Sequence, residues 1–238
     1  MPGSLKTEAI VLRSMRYGEA DRILHVFTPD RGRLSAIAKG VRRAKTRFGG
    51  RLEPYFRLQL VLYQGRSDLF TVTHAETVAG YPRLREHGGA LDSAARACDA
   101  VSRLFDDHDA HRGVFNLLAN QLALLDAQPE SAGHANALAF RLKLLLAAGF
   151  APQLAACADC GEQDHLVGFS GAAGGVVCSA CEANAFALSQ DAHDFLVGAL
   201  ALPLAETPAA PPRALAQAER AILDTLEHHA NVRLRPVA

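Results

Sequence analysis

The stretch RILHVFTPDRGRLSAIAKGVRRAKTRFGG, residues 22–50, sets two short alternating segments either side of PDRG and then abandons alternation for charge. RILHVFT (22–28) and RLSAIAK (33–39) place β-branched, aromatic or aliphatic residues at roughly every second position. That is the period of a half-buried strand, and Pro-Asp-x-Gly supplies the turn between them. Working outward, LKTEAIVLR (5–13), RLEPYFRLQLVLY (51–63) and DLFTVTHA (68–75) repeat the pattern, with YGEAD (17–21) and QGRS (64–67) as turns. Five strands without an intervening helix predict a small closed barrel over residues 1–80. The OB-fold is the reading preferred, and an SH3-like barrel has the same pattern.

Beyond Pro82 the period lengthens. Leu91, Ala95, Cys98, Val101 and Phe105 fall on one helical stripe, Val114, Leu117, Leu118, Leu122 and Leu125 on another, and Leu138, Leu142, Leu145 and Leu146 on a third that Gly149 ends. A final helix follows the Ala/Pro connector 204–213 and turns Leu215, Ile222 and Leu226 inward. Residues 81–238 are therefore expected to be helical, interrupted once at about 154–184. There CADCGEQDHLVGFSGAAGGVVCSAC (157–181) gives two C-x2-C pairs separated by 17 residues. Two thiolate pairs on tight turns can occupy the corners of a tetrahedron, so Cys157, Cys160, Cys178 and Cys181 are the expected ligands of one structural Zn2+. Cys98, the fifth cysteine, lies on an apolar face and is expected in the core. The predicted class is α+β multidomain: a five-stranded OB-fold barrel, then a helical domain with an inserted four-cysteine zinc module.

The 25 Lys and Arg balance the 25 Asp and Glu, but unevenly along the chain. Residues 1–80 hold 14 of the bases and 7 of the acids. Residues 39–51, KGVRRAKTRFGGR, carry six cations and no acid. Such density repels itself unless a polyanion relieves it. Lys39, Arg42, Arg43, Lys45, Arg47 and Arg51 are thus candidates to track phosphates, and Phe48, set among them, is expected to offer a face to a base. The aromatics on the strands, Tyr17 among them, are expected in the core.

Several classes are disfavoured. No apolar run reaches the length of a membrane span, and the first residues lack a signal-peptide core, so a cytoplasmic address is expected. Neither G-x-x-x-x-G-K-[ST] nor G-x-S-x-G occurs. His74-x-Glu76 with a later C-x-x-C echoes zinc nucleobase deaminases, but Ala156 and Val177 precede the cysteine pairs where those enzymes place proline. An RNA-binding OB-fold protein would carry the same basic groove.

The pieces AIVL, YGEAD, FT-x3-G, AKGVRR-x-K-x-RF, LEPY and LQLVLYQGR-x-DLFT, in order over residues 7–76, make this segment similar to the N-terminal domain of the RecO family of recombination mediators. FRLKLLLAAGFAPQLAACADCG (140–161) resembles the helix that leads into the cysteine module of family members that carry one. The resemblance implies a nucleoid-associated DNA repair protein without enzymatic turnover. It implies binding of single- and double-stranded DNA, annealing of complementary strands, and cooperation with RecR to load RecA onto strands covered by single-strand-binding protein. It further implies contact with the acidic C-terminal tail of that protein, for which Arg141 and Lys143 are the candidate residues.

Overall fold

One bent strand closes the barrel. β1 (Gly3–Tyr17) pairs antiparallel with β4 (Arg57–Gln64) along Gly3–Ile10 and with β2 (Asp21–Thr28) along Ile10–Tyr17. The register shifts between Val11 and Arg13, a bulge that bends the strand so that its two halves serve two neighbours. β2 continues into β3 (Gly32–Ala38), and β3 meets β5 (Phe70–Ala79) in a short parallel pairing, Ala36 with Phe70 and Ile37 with Thr71. The resulting closed order β1-β2-β3-β5-β4 is that of the OB-fold, which separates it from the SH3-like alternative. Alternation along these strands sends Val11, Leu24, Val26, Leu34, Leu60 and Val72 into one core. The computed structural model describes residues 3–43, 45–65 and 67–237; Arg66 of the expected QGRS turn lies outside them.

The expected strand 51–63 begins only at Arg57. Tyr55 has φ of 72°, outside the strand region, and its N–H donates to Val11 O at 2.7 Å, so residues 51–56 turn under β1 instead of extending.

Three helices, α1 (Pro82–Glu86), α2 (Gly88–Leu104) and α3 (Arg112–Ala127), complete a compact unit with the barrel, Met1–Pro129. Cys98, Val101 and Phe105 of the expected stripe are buried, but the first half of α2 turns Ala90, Ala94 and Ala97 inward in place of Leu91 and Ala95; Leu91 stays 36% exposed. Alanines at the contact let helices approach closely, and hydropathy weights such a face lightly. The barrel side of this unit is pinned by Arg33, which pairs with Asp107 and donates to Ser102 O, and by Phe27 against Phe105, centroids 6.1 Å apart.

The second unit, Glu130–Ala238, packs α4 (His134–Ala147), α5 (Gln190–Ala201) and α6 (Pro212–Thr225) together. Gly149, at φ of 81°, ends α4 as expected: Phe150 N–H reaches Leu145 O at 2.9 Å and Gly149 N–H reaches Leu146 O at 3.1 Å, the paired bonds of a Schellman cap. Leu146 itself is 52% exposed, while Leu138, Leu142 and Leu145 are buried. Between α4 and α5 lies a small sheet of β6 (Leu166–Ser170), β7 (Gly175–Cys178) and β8 (Phe186–Ala187), order β7-β6-β8. Among the described residues no helix is long and apolar enough to cross a membrane.

Gly32 opens β3 at φ of 60°, and a Cβ there would sit 1.9 Å from Asp109 O. Gly49 shares the positive φ, 57°, but faces open space. Gly32→Ala is therefore expected to cost about 2 kcal/mol or more, read as a thermal midpoint lowered by about 4 °C or more, with Gly49→Ala costing clearly less. Equal midpoints for the two variants would contradict the close approach at Gly32.

Candidate functional site

The basic stretch is a tethered run of turns across one end of the barrel. Where β3 stops, Gly40 N–H donates to the Asp21 carboxylate at 2.7 Å. Arg42 then bonds the β1–β2 hairpin twice, N–H to Ala20 O at 2.9 Å and Nη1 to Glu19 O at 3.2 Å. At the other end Arg47 Nη2 reaches Val72 O on β5 at 3.4 Å, and Arg51 N–H returns to Phe48 O at 3.3 Å.

Phe48 overturns an expectation. Its ring is 1% exposed and belongs to the barrel core together with Leu52, so it has no face to give a base. The reason is geometric: a closed barrel leaves an apolar mouth, and the turn crossing it supplies the plug. The Arg47 guanidinium lies over the outer side of that ring, 4.8 Å from its centroid.

The cations surround the plug. Lys39, Arg42, Arg43, Lys45, Arg47 and Arg51 are all exposed. Among the described residues none of the six enters a salt bridge, although the bases that flank them do: Arg22 with Glu53 at 2.8 Å and Arg57 with Glu8 at 2.8 Å. Arg47 and Arg51 also form one wall of a groove of about 510 Å³ whose other wall is the β5 face, Thr73, His74, Glu76 and Thr77. Sequence reasoning missed this wall, since outward-facing polar residues on a strand have no distinctive pattern. His74 Nε2 and Glu76 Oε1 are 3.1 Å apart, and the hydrogen bond from His74, helped by its charge and by Lys6 and Arg51, holds the Glu76 carboxyl below its usual range. The pair is thus a surface contact on the barrel and takes no part in the cysteine cluster.

That cluster is local to the second unit. The Sγ atoms of Cys157, Cys160, Cys178 and Cys181 all lie within 4.8 Å of one another, and Cys160 and Cys178 are 3.7 Å apart. Four sulfurs bound to one ion at about 2.3 Å would stand about 3.8 Å apart, so the donor set has the size of a tetrahedral thiolate site. Each pair sits on a tight turn: Gly161 N–H bonds Cys157 O at 2.9 Å, and Cys181 N–H bonds Cys178 O at 3.0 Å. Backbone N–H groups of Cys160 and Cys178 aimed at the Cys157 sulfur pull its pKa down to about 6, whereas hydrogen bonding with Cys160 and Asp159 pushes Cys181 upward. Four thiolates this close repel one another without a cation, and a divalent ion removes that conflict. His193, near in sequence, is committed to Leu154 O at 2.7 Å. Cys98 is 2% exposed in the other unit, where burial holds its thiol protonated.

Arg141 is a second correction. It is 5% exposed, donates through Nη2 to Arg235 O at 2.6 Å, and lies 3.6 Å from the Glu219 carboxylate. It faces inward because α4 is buried on most sides, so it is a tether for residues 233–237 and not a surface cation. Lys143 is half-buried, with Nζ on Leu200 O at 3.0 Å, and desolvation lowers its pKa.

Comparison with known proteins adds independent findings. Residues 1–81 match the family model for the N terminus of recombination protein O, and residues 85–236 match the model for its C terminus. A DNA repair protein RecO of Rubrobacter xylanophilus is 41% identical over 224 residues, covering 92% of this chain and 88% of its own. Proteins of the same name from Anaeromyxobacter sp. strain K and Myxococcus xanthus are 36% and 33% identical, each covering 97% of this chain and 93% and 94% of their own lengths.

Phe48→Ala is expected to act through the fold: truncating a fully buried phenyl ring costs about 3–5 kcal/mol, visible as a lowered urea midpoint. A variant as stable as the parent would mean that the ring is not the plug.

Proposed function

The chain belongs to the RecO family of DNA repair proteins, and from that premise we propose that it is a non-catalytic recombination mediator. In this reading it binds single- and double-stranded DNA without sequence preference, anneals complementary strands and, with RecR, helps load RecA onto strands covered by single-strand-binding protein. Residues 1–80 form the nucleic-acid-binding module, and 81–238 carry the helices and the metal module. The protein works in the cytoplasm, at the nucleoid.

One observation carries the reading: six exposed cations on a tethered turn, none neutralised by a protein acid among the described residues, beside flanking arginines that are. Lys39, Arg42, Arg43, Lys45, Arg47 and Arg51 would contact phosphates. Hydrogen bonds at both ends of the turn, from Gly40 N–H to Asp21 and from the Arg47 guanidinium to Val72 O, tie it to the barrel, so less freedom is lost on binding than in a floppy basic loop. Phosphate contacts carry no base information, which makes the binding sequence-tolerant. A surface that neutralises one strand also lowers its repulsion for the complement, and that is the physical basis for annealing. The choice of DNA over RNA rests on family membership, as do RecR, RecA and the acidic tail of single-strand-binding protein. Arg141, being buried, is not part of the tail contact.

Cys157, Cys160, Cys178 and Cys181 would hold one zinc ion. It would supply a cross-link for a three-stranded sheet too small to bury a core of its own, and with four sulfur ligands it would leave no position for water.

With four to six phosphates engaged, log affinity against log salt should fall with a slope of about −3 to −4 on single strands between about 50 and 300 mM salt, measured by fluorescence anisotropy. Lys39→Glu/Arg42→Glu/Arg43→Glu should bind far more weakly and with a shallower slope. A folded triple variant with unchanged affinity and slope would sink the assignment. Stripping the metal with a chelator should release hydrogen-exchange protection at Val176 and Val177 while β1–β5 amides stay protected; protection unchanged in metal-free protein would remove the structural role.

A further inference from the structure

With Phe48 sealed in the barrel, the cationic turn lacks the stacking face expected of it. Among the described residues of the first unit, the exposed large aromatic rings apart from histidines are Tyr17, 54% exposed, and Tyr63, 46% exposed; the exposed His74 imidazole is engaged with Glu76. The surroundings of the two tyrosines differ. Tyr63 on β4 is registered against Ser4 on β1 and Thr71 on β5, neutral residues on both sides. Tyr17 ends β1 and is registered directly against Asp21, the residue whose carboxylate holds Gly40 at the start of the cationic turn. Glu19 and Ala20, in the hairpin loop between Tyr17 and Asp21, give their carbonyls to Arg42. Three hydrogen bonds therefore bind the hairpin that carries Tyr17 to the turn that carries Lys39, Arg42 and Arg43. Among the described residues the Tyr17 side chain has no ring contact and no hydrogen bond of its own.

We propose that Tyr17 is the stacking platform of this interface, taking the face of an unpaired base while the neighbouring cations hold the phosphates on either side of it. The inference rests on the nucleic-acid reading above and adds what phosphate contacts cannot supply, a preference for single strands. A ring with two side-chain torsions, mounted on a hairpin fixed to its cations, loses little freedom on stacking. It accepts any base, because every base has a π face. A duplex hides those faces in its own stack and offers none. The β1–β2 loop is also one of the two loops through which OB-folds meet oligonucleotides.

The test uses the full chain and three labelled probes: oligothymidylate, an abasic strand of the same length and charge, and a duplex. Tyr17→Leu is expected to weaken oligothymidylate binding about five- to 150-fold. It should leave abasic and duplex affinities and the salt slope as they were. Tyr17→Phe should match the parent, and Tyr63→Leu should change nothing. The chain contains no tryptophan, so Tyr17→Trp introduces a single indole emitter. Its fluorescence should be quenched by oligothymidylate and not by the abasic strand. Equal affinity of Tyr17→Leu and parent for oligothymidylate overturns the proposal while leaving the phosphate reading intact. An equal loss on all three probes overturns it too, because stacking cannot act on a strand without bases. If the parent protein binds none of the probes, the nucleic-acid reading fails and Tyr17 falls with it.

Discussion

A phenyl ring among cations organises the first unit. Phe48, with Leu52, fills the mouth of the barrel, and its burial forces the residues on either side of it outward. Without that anchor, six like charges in thirteen residues would swing away from the body to dilute their repulsion. With it they are held at the rim. Hydrophobic burial therefore holds the charge density in place. The hydrogen bonds accepted by Asp21, Ala20 and Val72 fix the direction of the turn but are too few to confine it alone.

The cysteine module solves the opposite problem. Around the cysteines the buried apolar cluster is small, Val177 with Leu166 and Ala185 partly covered, although the same sheet also buries Phe169 and Val176. A metal-sized ring of sulfurs stands where a larger domain would place leucines.

Local patterns were legible in the sequence, and non-local ones were not. Two C-x2-C pairs flanking a hairpin bring their sulfurs together by short-range geometry alone, so spacing sufficed. Strand alternation gave the five strands, because each has one face on the core. It failed at residues 51–56, whose Leu52, Tyr55 and Phe56 supply strand-forming residue types, but where Tyr55 adopts a positive φ that no composition announces. The helical period likewise held for Cys98, Val101 and Phe105 but failed in the first half of α2, whose buried face is written in alanine. Phe48 and Tyr17 were assigned in reverse, the first expected outside among charges and the second inside among strands. Periodicity says nothing in a turn, and at a strand's last residue the core has already ended. Arg141 followed the same rule: a cation on a helix reads as surface until a second element is seen to cover it.

The double duty of β1 has a consequence for biosynthesis. Its first half pairs with β4, so Gly3 finds its partner only at Gln64. During translation at about 5–20 residues per second, those first residues wait about three to twelve seconds as an unsatisfied strand edge. The β1–β2–β3 meander and the cationic turn emerge during that interval, before closure is possible. Nascent chains of this architecture therefore pass through an open, positively charged sheet; β4 then satisfies the first half of β1, and the closing step is the arrival of β5, which joins β4 to β3.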